Sequence, residues 1–143
     1  MPLVIIADDD ELVIDIVRQA LEARGHVVGA LSDGGPVRNV VELKRPDVVI
    51  LDCSMEQVSG ITALKEIRSS KASLTPVLVL TARRSATDEN IALGAGANDY
   101  LRKPFDPDEL VARVEALIDK AALSALRAAP RPASAAPAWG TRH

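Results

Sequence analysis

Apolar residues fall into two rhythms along this chain. Four short runs, at residues 3–7, 27–31, 48–51 and 77–80, are bounded by polar or turn residues. Three of them are continuous rather than alternating, which is how a strand reads when helices cover both of its faces. Between the runs the spacing becomes helical. Leu12, Ile16 and Ala20 lie beside Val13, Val17 and Leu21, and Gly25 ends that stretch. Residues 37–44 form a second helical segment stopped before Pro46, 61–67 a third after Gly60, and 86–95 a fourth ahead of a short strand at 100–102. A last helix opens at Asp106-Pro107-Asp108-Glu109, with proline early and acids in the first turn, where the helix dipole favours negative charge. The pattern predicts five strands alternating with five helices. That is an α/β fold with a parallel sheet, doubly wound through right-handed crossovers.

Ligands of open α/β sheets bind beyond the carboxyl ends of the strands, so the residues that follow each apolar run carry the chemistry. After the first come Asp8, Asp9, Asp10 and Glu11; after the third, Asp52; after the fourth, Thr81; after the last, Lys103, Pro104 and Phe105. Together these ends supply carboxylates, a hydroxyl and an ammonium. An oxygen-rich acidic cluster suits a hard cation such as Mg²⁺, and Lys103 opposite it can neutralise a phosphoryl group. Each residue alone has a plainer explanation. The acids can serve the helix N-terminus, Thr81 can satisfy a backbone group, and Lys103 can be solvated. Asp52 resists that treatment, because a carboxylate directly after four branched aliphatics sits at the edge of the core, where an idle charge is costly. Their joint position on separate strand ends favours a site. Cys53 reads as a packing residue, and His26 and His143 carry no chemical argument. The Gly94 to Asn98 stretch resembles a phosphate-binding fingerprint, yet it lacks the third glycine and precedes a strand, so it reads as a helix stop and turn.

Length and charge narrow the classes. The 143 residues make one domain, 48% hydrophobic and 26% charged, with net charge -3. An acidic chain is not a direct nucleic-acid binder. One cysteine permits neither an intrachain disulfide nor a zinc cluster, and no basic segment followed by a long apolar run begins the chain. These features place it in the cytoplasm, away from membranes. Only Tyr100, Phe105 and Trp139 are aromatic, and the first two flank Lys103. After Lys120 the composition shifts: residues 121–143 hold nine Ala, three Pro, three Arg and no acid, so this tail carries +3 and residues 1–120 carry -6. The expected organisation is a folded domain over 1–120, a helical extension to Ala129 ended by Pro130, and disorder beyond.

In this order and spacing, the acid pair Asp8-Asp9, Asp52 at the end of Val48-Val49-Ile50-Leu51, Met55, Gly60, the pair Thr81-Ala82 and the run from Tyr100 to Lys103-Pro104-Phe105 resemble the receiver domain of two-component response regulators. The resemblance covers residues 3 to about 120. It is closest to the subclass that usually precedes a winged-helix DNA-binding domain. It implies a flavodoxin-like sheet of order 2-1-3-4-5 and a switch in which Asp52 accepts a phosphoryl group from a sensor histidine kinase or phosphotransfer protein. It further implies Mg²⁺ held by Asp9, Asp52 and the backbone carbonyl of Ser54, with Asp8 orienting a metal-bound water. Lys103 would pair with the phosphoryl group, and Thr81 and Tyr100 would relay its arrival to the fourth helix, fifth strand and fifth helix. A homodimer through that face is implied too, with Asp99 and Arg113 placed to pair between copies. Independently of the resemblance, a last helix extended over Ala121 to Ala129 would expose Leu123 and Leu126 as apolar residues without a partner on a monomer; the alternative is a frayed tail and a monomeric protein. The chain departs from the family pattern at Glu56, which stands where proline is usual. Ser54 and Arg83 occupy positions that tune access of water to the phosphoryl group.

Two other classes compete. The Asp8-x-Asp10 spacing imitates the opening motif of aspartate-nucleophile phosphatases, but those need a small polar residue where this chain has Leu12, and a lid for which no insertion is long enough. Turnover of a generic phosphate ester would distinguish them. A phosphorylation-independent interaction module of the same fold would be expected to have lost part of the acid, threonine and lysine set, all of which is present.

Overall fold

The computed structural model describes residues 1–53, 59–82 and 86–128. Ser54, Met55, Glu56, Arg83, Ala129 and the remaining tail lie outside them. The elements run β1 (Leu3–Ala7), α1 (Glu11–Glu22), β2 (Val27–Leu31), α2 (Val37–Lys44), β3 (Val48–Asp52), α3 (Gly60–Arg68), β4 (Val77–Thr81), α4 (Ala86–Gly94), β5 (Asp99–Arg102) and α5 (Pro107–Ala128). The strands form one sheet, all neighbours parallel, in the order β2-β1-β3-β4-β5. This is the expected doubly wound topology. The third and fourth strands each run one residue beyond their apolar runs and take in Asp52 and Thr81.

Strand pleating sends alternate side chains to opposite faces, which divides the core in two. Ile6, Ile50, Leu78 and Leu80 pack with Ile14, Val17 and Leu21 of α1 and with Leu110, Val114 and Leu117 of α5. Val49, Leu51, Val77 and Val79 pack on the other side with Val37 and Val41 of α2, Leu64 and Ile67 of α3 and Ala92 of α4. The central strands β3 and β4 are buried along their whole length. Being covered on both faces is the physical reason their sequence shows no alternation. On the edge strand β2, by contrast, Val27 is exposed.

Two polar clusters fix the ends of the sheet opposite the strand carboxyl ends. Arg68, at the end of α3, donates to the carbonyls of Thr75 at 2.7 Å, Ser73 at 2.9 Å and Gly96 at 2.9 Å, and to Asn98 Oδ1 at 2.8 Å. Burial lowers its pKa. This guanidinium ties the α4–β5 loop to α3, and Gly96 has φ +110° with a would-be Cβ against the Arg68 side chain, which requires glycine there. On the other side, His26 is buried with Nε2 2.9 Å from Glu115, which also accepts from Arg24. His26 therefore joins the start of β2 to α5, a structural role its position in the sequence did not signal.

Candidate functional site

The acidic run that follows β1 divides its labour. Asp10 is the N-cap of α1, accepting from the Leu12 amide at 2.9 Å, and Glu11 supplies the acid of the first turn. The capping role is thus filled one residue beyond the acid pair. Asp8 is fully buried; one carboxylate oxygen accepts from the Asp10 amide at 2.9 Å and the other from Lys103 Nζ at 2.9 Å. Asp9 is exposed.

Asp52 ends β3 with 5% of its surface exposed, and its carboxylate lies 3.3 Å from Lys103 Nζ. The strand is carried this far by pairing with β4, since the Cys53 amide donates to the Leu80 carbonyl at 2.8 Å. Cys53 packs against the core on the α2–α4 side, as a small apolar residue would. Close packing of α3 fixes the same point from the other side: a Cβ at Gly60 would collide with the Asp52 carbonyl. That contact is why the helix begins on a glycine, capped by Ser59. Lys103 arrives from β5, its amide donating to the Thr81 carbonyl at 2.7 Å, and a cis peptide bond joins it to Pro104.

One carboxylate oxygen from each of Asp8, Asp9 and Asp52 lies within 4.8 Å of the other two. Burial raises the Asp8 pKa most, and the Asp52 charge adds to this; the Lys103 hydrogen bond and the Asp10 amide oppose them without cancelling. Burial works against the charge on Lys103, but Asp8 and Asp52 outweigh it and raise its pKa. The site is therefore a crowd of carboxylates short of positive charge and faced by one ammonium. A hard divalent cation among Asp8, Asp9 and Asp52 fits that donor set, whose ligands are all oxygens.

Thr81 is buried at the carboxyl end of β4. Its register partner on β5 is Arg102, and Val79, two residues earlier, pairs with Tyr100. Tyr100 is partly buried against the core on the α2–α4 side, on the strand next to that of Thr81. Its hydroxyl hydrogen-bonds the Glu89 carboxylate, which raises the Tyr100 pKa. The structure thus gathers Asp8, Asp9, Asp52 and Lys103 at one point, sets Thr81 beside them and Tyr100 outward of Thr81. Ser54 lies outside the described residues.

One part of the site was missed. Val13, Ile16, Ala82, Pro104, Phe105 and Pro107 line an apolar cleft of about 580 Å³ that reaches Lys103. Its signal was available in α1, whose apolar residues occupy two adjacent stripes, one more than the core uses: Leu12 and Ile16 remain exposed. In the single chain Asp99 and Arg113, expected to pair between two copies, are bonded to each other at 2.9 Å, with Arg113 also held by Glu109 at 3.0 Å. Both residues lie along one edge of the same domain, β5 beside α5, which places them in reach of each other.

A family model described as the response regulator receiver domain matches residues 4–115. The response regulator MprA of Mycolicibacterium vanbaalenii is 40% identical over 119 residues, which are 82% of this chain and 51% of that protein. The alkaline phosphatase synthesis transcriptional regulatory protein PhoP of Bacillus subtilis is 34% identical over 122 residues, 85% of this chain and 50% of its own. The chain thus spans about half the length of the curated relatives it matches. Among solved structures, the receiver domain of the Francisella response regulator 1452 superposes with a TM-score of 0.80 at 32% identity, covering 85% of this chain and 99% of that one. The receiver domain of the Pseudomonas aeruginosa sensor histidine kinase PA1611, solved with a magnesium ion in its active-site cleft, gives a TM-score of 0.77 at 28% identity, with coverage of 82% and 98%.

Proposed function

Since the chain belongs to the response regulator receiver domain family, we propose that it is a phosphorylation-activated switch of a two-component system, with Asp52 as phosphoacceptor. The observation that carries this reading is the buried Asp52 carboxylate 3.3 Å from Lys103 Nζ, with Asp8 and Asp9 alongside. An oxygen of Asp52 attacks the phosphorus of a kinase or phosphotransfer-protein phosphohistidine in line. The new O–P bond forms as the N–P bond breaks, and the released imidazole takes up a proton from solvent. Lys103 pairs with the equatorial oxygens of the arriving group, exchanging its present contact with Asp52 for one with phosphate. Asp9 and Asp52 would hold Mg²⁺ with Asp8 beside them, and Ser54 would be a further ligand, as the family resemblance implies. When bound, the ion supplies the positive charge that lets an anionic donor approach carboxylates.

The donor protein has a surface to use. The apolar cleft of Val13, Ile16 and Phe105 borders Lys103, so a donor helix seated there would present its phosphohistidine toward Asp52. Thr81 then turns its hydroxyl toward a phosphate oxygen, and Tyr100 fills the space it leaves, which alters the face formed by α4, β5 and α5. Phosphorylation promotes a homodimer through that face, in the cytoplasm and without direct contact to nucleic acid.

The experiment is phosphoryl transfer from acetyl phosphate. Labelling in Mg²⁺ that disappears in EDTA is the expected result; undiminished labelling in EDTA contradicts the metal role.

A further inference from the structure

Tyr100 and Arg102 lie two residues apart on β5 and so share a face of the sheet, opposite Val79 and Thr81 of β4. Helix α4 lays one side chain across both. Arg102 Nε donates to Glu89 Oε1 at 2.6 Å, a second guanidinium nitrogen of Arg102 pairs with the same carboxylate, and the Tyr100 hydroxyl donates to it as well. The Glu89 side chain is only 13% exposed, so this pairing is shielded more than an ordinary surface bridge. On the α5 side, Arg113 grips Asp99 and reaches the Tyr100 carbonyl at 3.4 Å, which holds the β5 backbone in place. The strand is therefore fixed while its tyrosine side chain is tethered to a neighbouring helix. Beside the tether lies a cleft of about 340 Å³ lined by Glu89, Tyr100, Arg102, Phe105, Glu109 and Arg113.

We propose that Glu89 is a latch: a positioning residue that holds Tyr100 outward against α4 and so opposes the phosphorylated arrangement until Thr81 moves. The inference rests on the reading of Asp52 as phosphoacceptor and of Thr81 as the hydroxyl that responds. An interaction made in one of two states subtracts from the population of the other, and a ligand that needs the other state then binds with reduced apparent affinity. Glu89 acts in this way because one of its partners, Arg102, is the register partner of Thr81, and the other, Tyr100, lies two residues earlier on the same face. Inward movement of the Tyr100 ring has to break the hydroxyl's bond to Glu89, while the Arg102 pair keeps the carboxylate where it can recapture the ring. Loss of the phosphoryl group thus returns the domain to its resting arrangement.

The chain has a single tyrosine, so ring-labelled tyrosine gives one NMR spin system that reports on this side chain alone. The probe is beryllofluoride with Mg²⁺. In Glu89→Ala without beryllofluoride, the ring resonances are expected to move toward the positions they take in the wild type with it, and Glu89→Gln, which keeps an acceptor for the hydroxyl, moves them less. The beryllofluoride concentration for half occupancy, followed by amide shifts, falls at least about threefold in Glu89→Ala. In a Tyr100→Phe background the same substitution has no effect on half occupancy. Ring resonances unmoved in both Glu89 variants would overturn the latch. So would an equal gain in the Tyr100→Phe background, which would reduce Glu89 to a charge near an anion site. A wild type that takes up no beryllofluoride overturns the phosphoacceptor reading, and the latch with it. That failure is distinct from the others because it is seen without any substitution at Glu89.

Discussion

Lys103 and Asp8 stand 95 residues apart in the chain and 2.9 Å apart in space. Their contact joins the first strand of the sheet to the loop after the last, across two intervening strands, β3 and β4. The pair is not simply stabilising. Burial of Asp8, with Asp52 beside it, works against its charge more than Lys103 works for it.

The first consequence concerns stability. A carboxyl whose folded pKa is raised stabilises the fold below its unfolded pKa and loses that contribution as the pH rises through the folded value, so ionised Asp8 is a cost at neutral pH. Asp8→Asn is expected to melt a few degrees above the metal-free wild type at pH 7, with the gap closing as the pH is lowered. Thermal denaturation followed by circular dichroism measures this, and a variant melting below the wild type contradicts it.

Mg²⁺ affinity should carry the same signature. The ion needs Asp8 ionised, so binding is full above the raised pKa and weakens as the pH falls through it, beginning at a higher pH than an ordinary aspartate would set. Titration calorimetry between neutral and mildly acid pH reads the loss. Affinity that does not change over that range counts against Asp8 as part of the metal site.

Thr81→Ala separates chemistry from relay. The hydroxyl is buried at the end of β4 and forms no part of the new O–P bond, so the variant should accept phosphate at a rate within about tenfold of wild type. Its amide shifts along α4 and β5 on phosphorylation should be much smaller than those of the wild type. Shifts of equal size in both proteins would remove Thr81 from the relay.

The proposed homodimer faces a specific obstacle. Asp99 and Arg113 already satisfy each other within one chain, and exposed ion pairs contribute at most about 1 kcal/mol, so exchanging them between copies supplies register more than affinity. Apolar contact has to supply the rest, from Leu123 and Leu126 on α5, which are 49% and 74% exposed. Sedimentation velocity at micromolar concentration, with and without beryllofluoride and Mg²⁺, is expected to show a dimer only with the mimic and none with Leu123→Ala/Leu126→Ala. A monomer under every condition removes the dimer.

The sheet was legible because its inner strands are buried on both faces and read as unbroken Val, Ile and Leu, as in β3 and β4. Asp8, Asp52 and Thr81 were legible because each directly follows such a run, and Lys103 because it follows the short last strand; topology forces these strand ends together. What escaped depends on side-chain geometry between elements distant in sequence. His26 meets Glu115 across 89 residues, and Glu89 meets Arg102 between a helix and the next strand. No local periodicity encodes those contacts. Gly60 could be noted as a glycine, but its necessity follows only from the approach of α3 to the Asp52 carbonyl.

The central claim is that Asp52 carries the phosphoryl group. Intact mass after exposure to acetyl phosphate and Mg²⁺, followed by peptide mapping, tests it most directly. The account predicts one added phosphoryl group on the wild type, located on Asp52, and none on Asp52→Asn. An adduct of the same mass on Asp52→Asn, or one mapped to another residue, would contradict it.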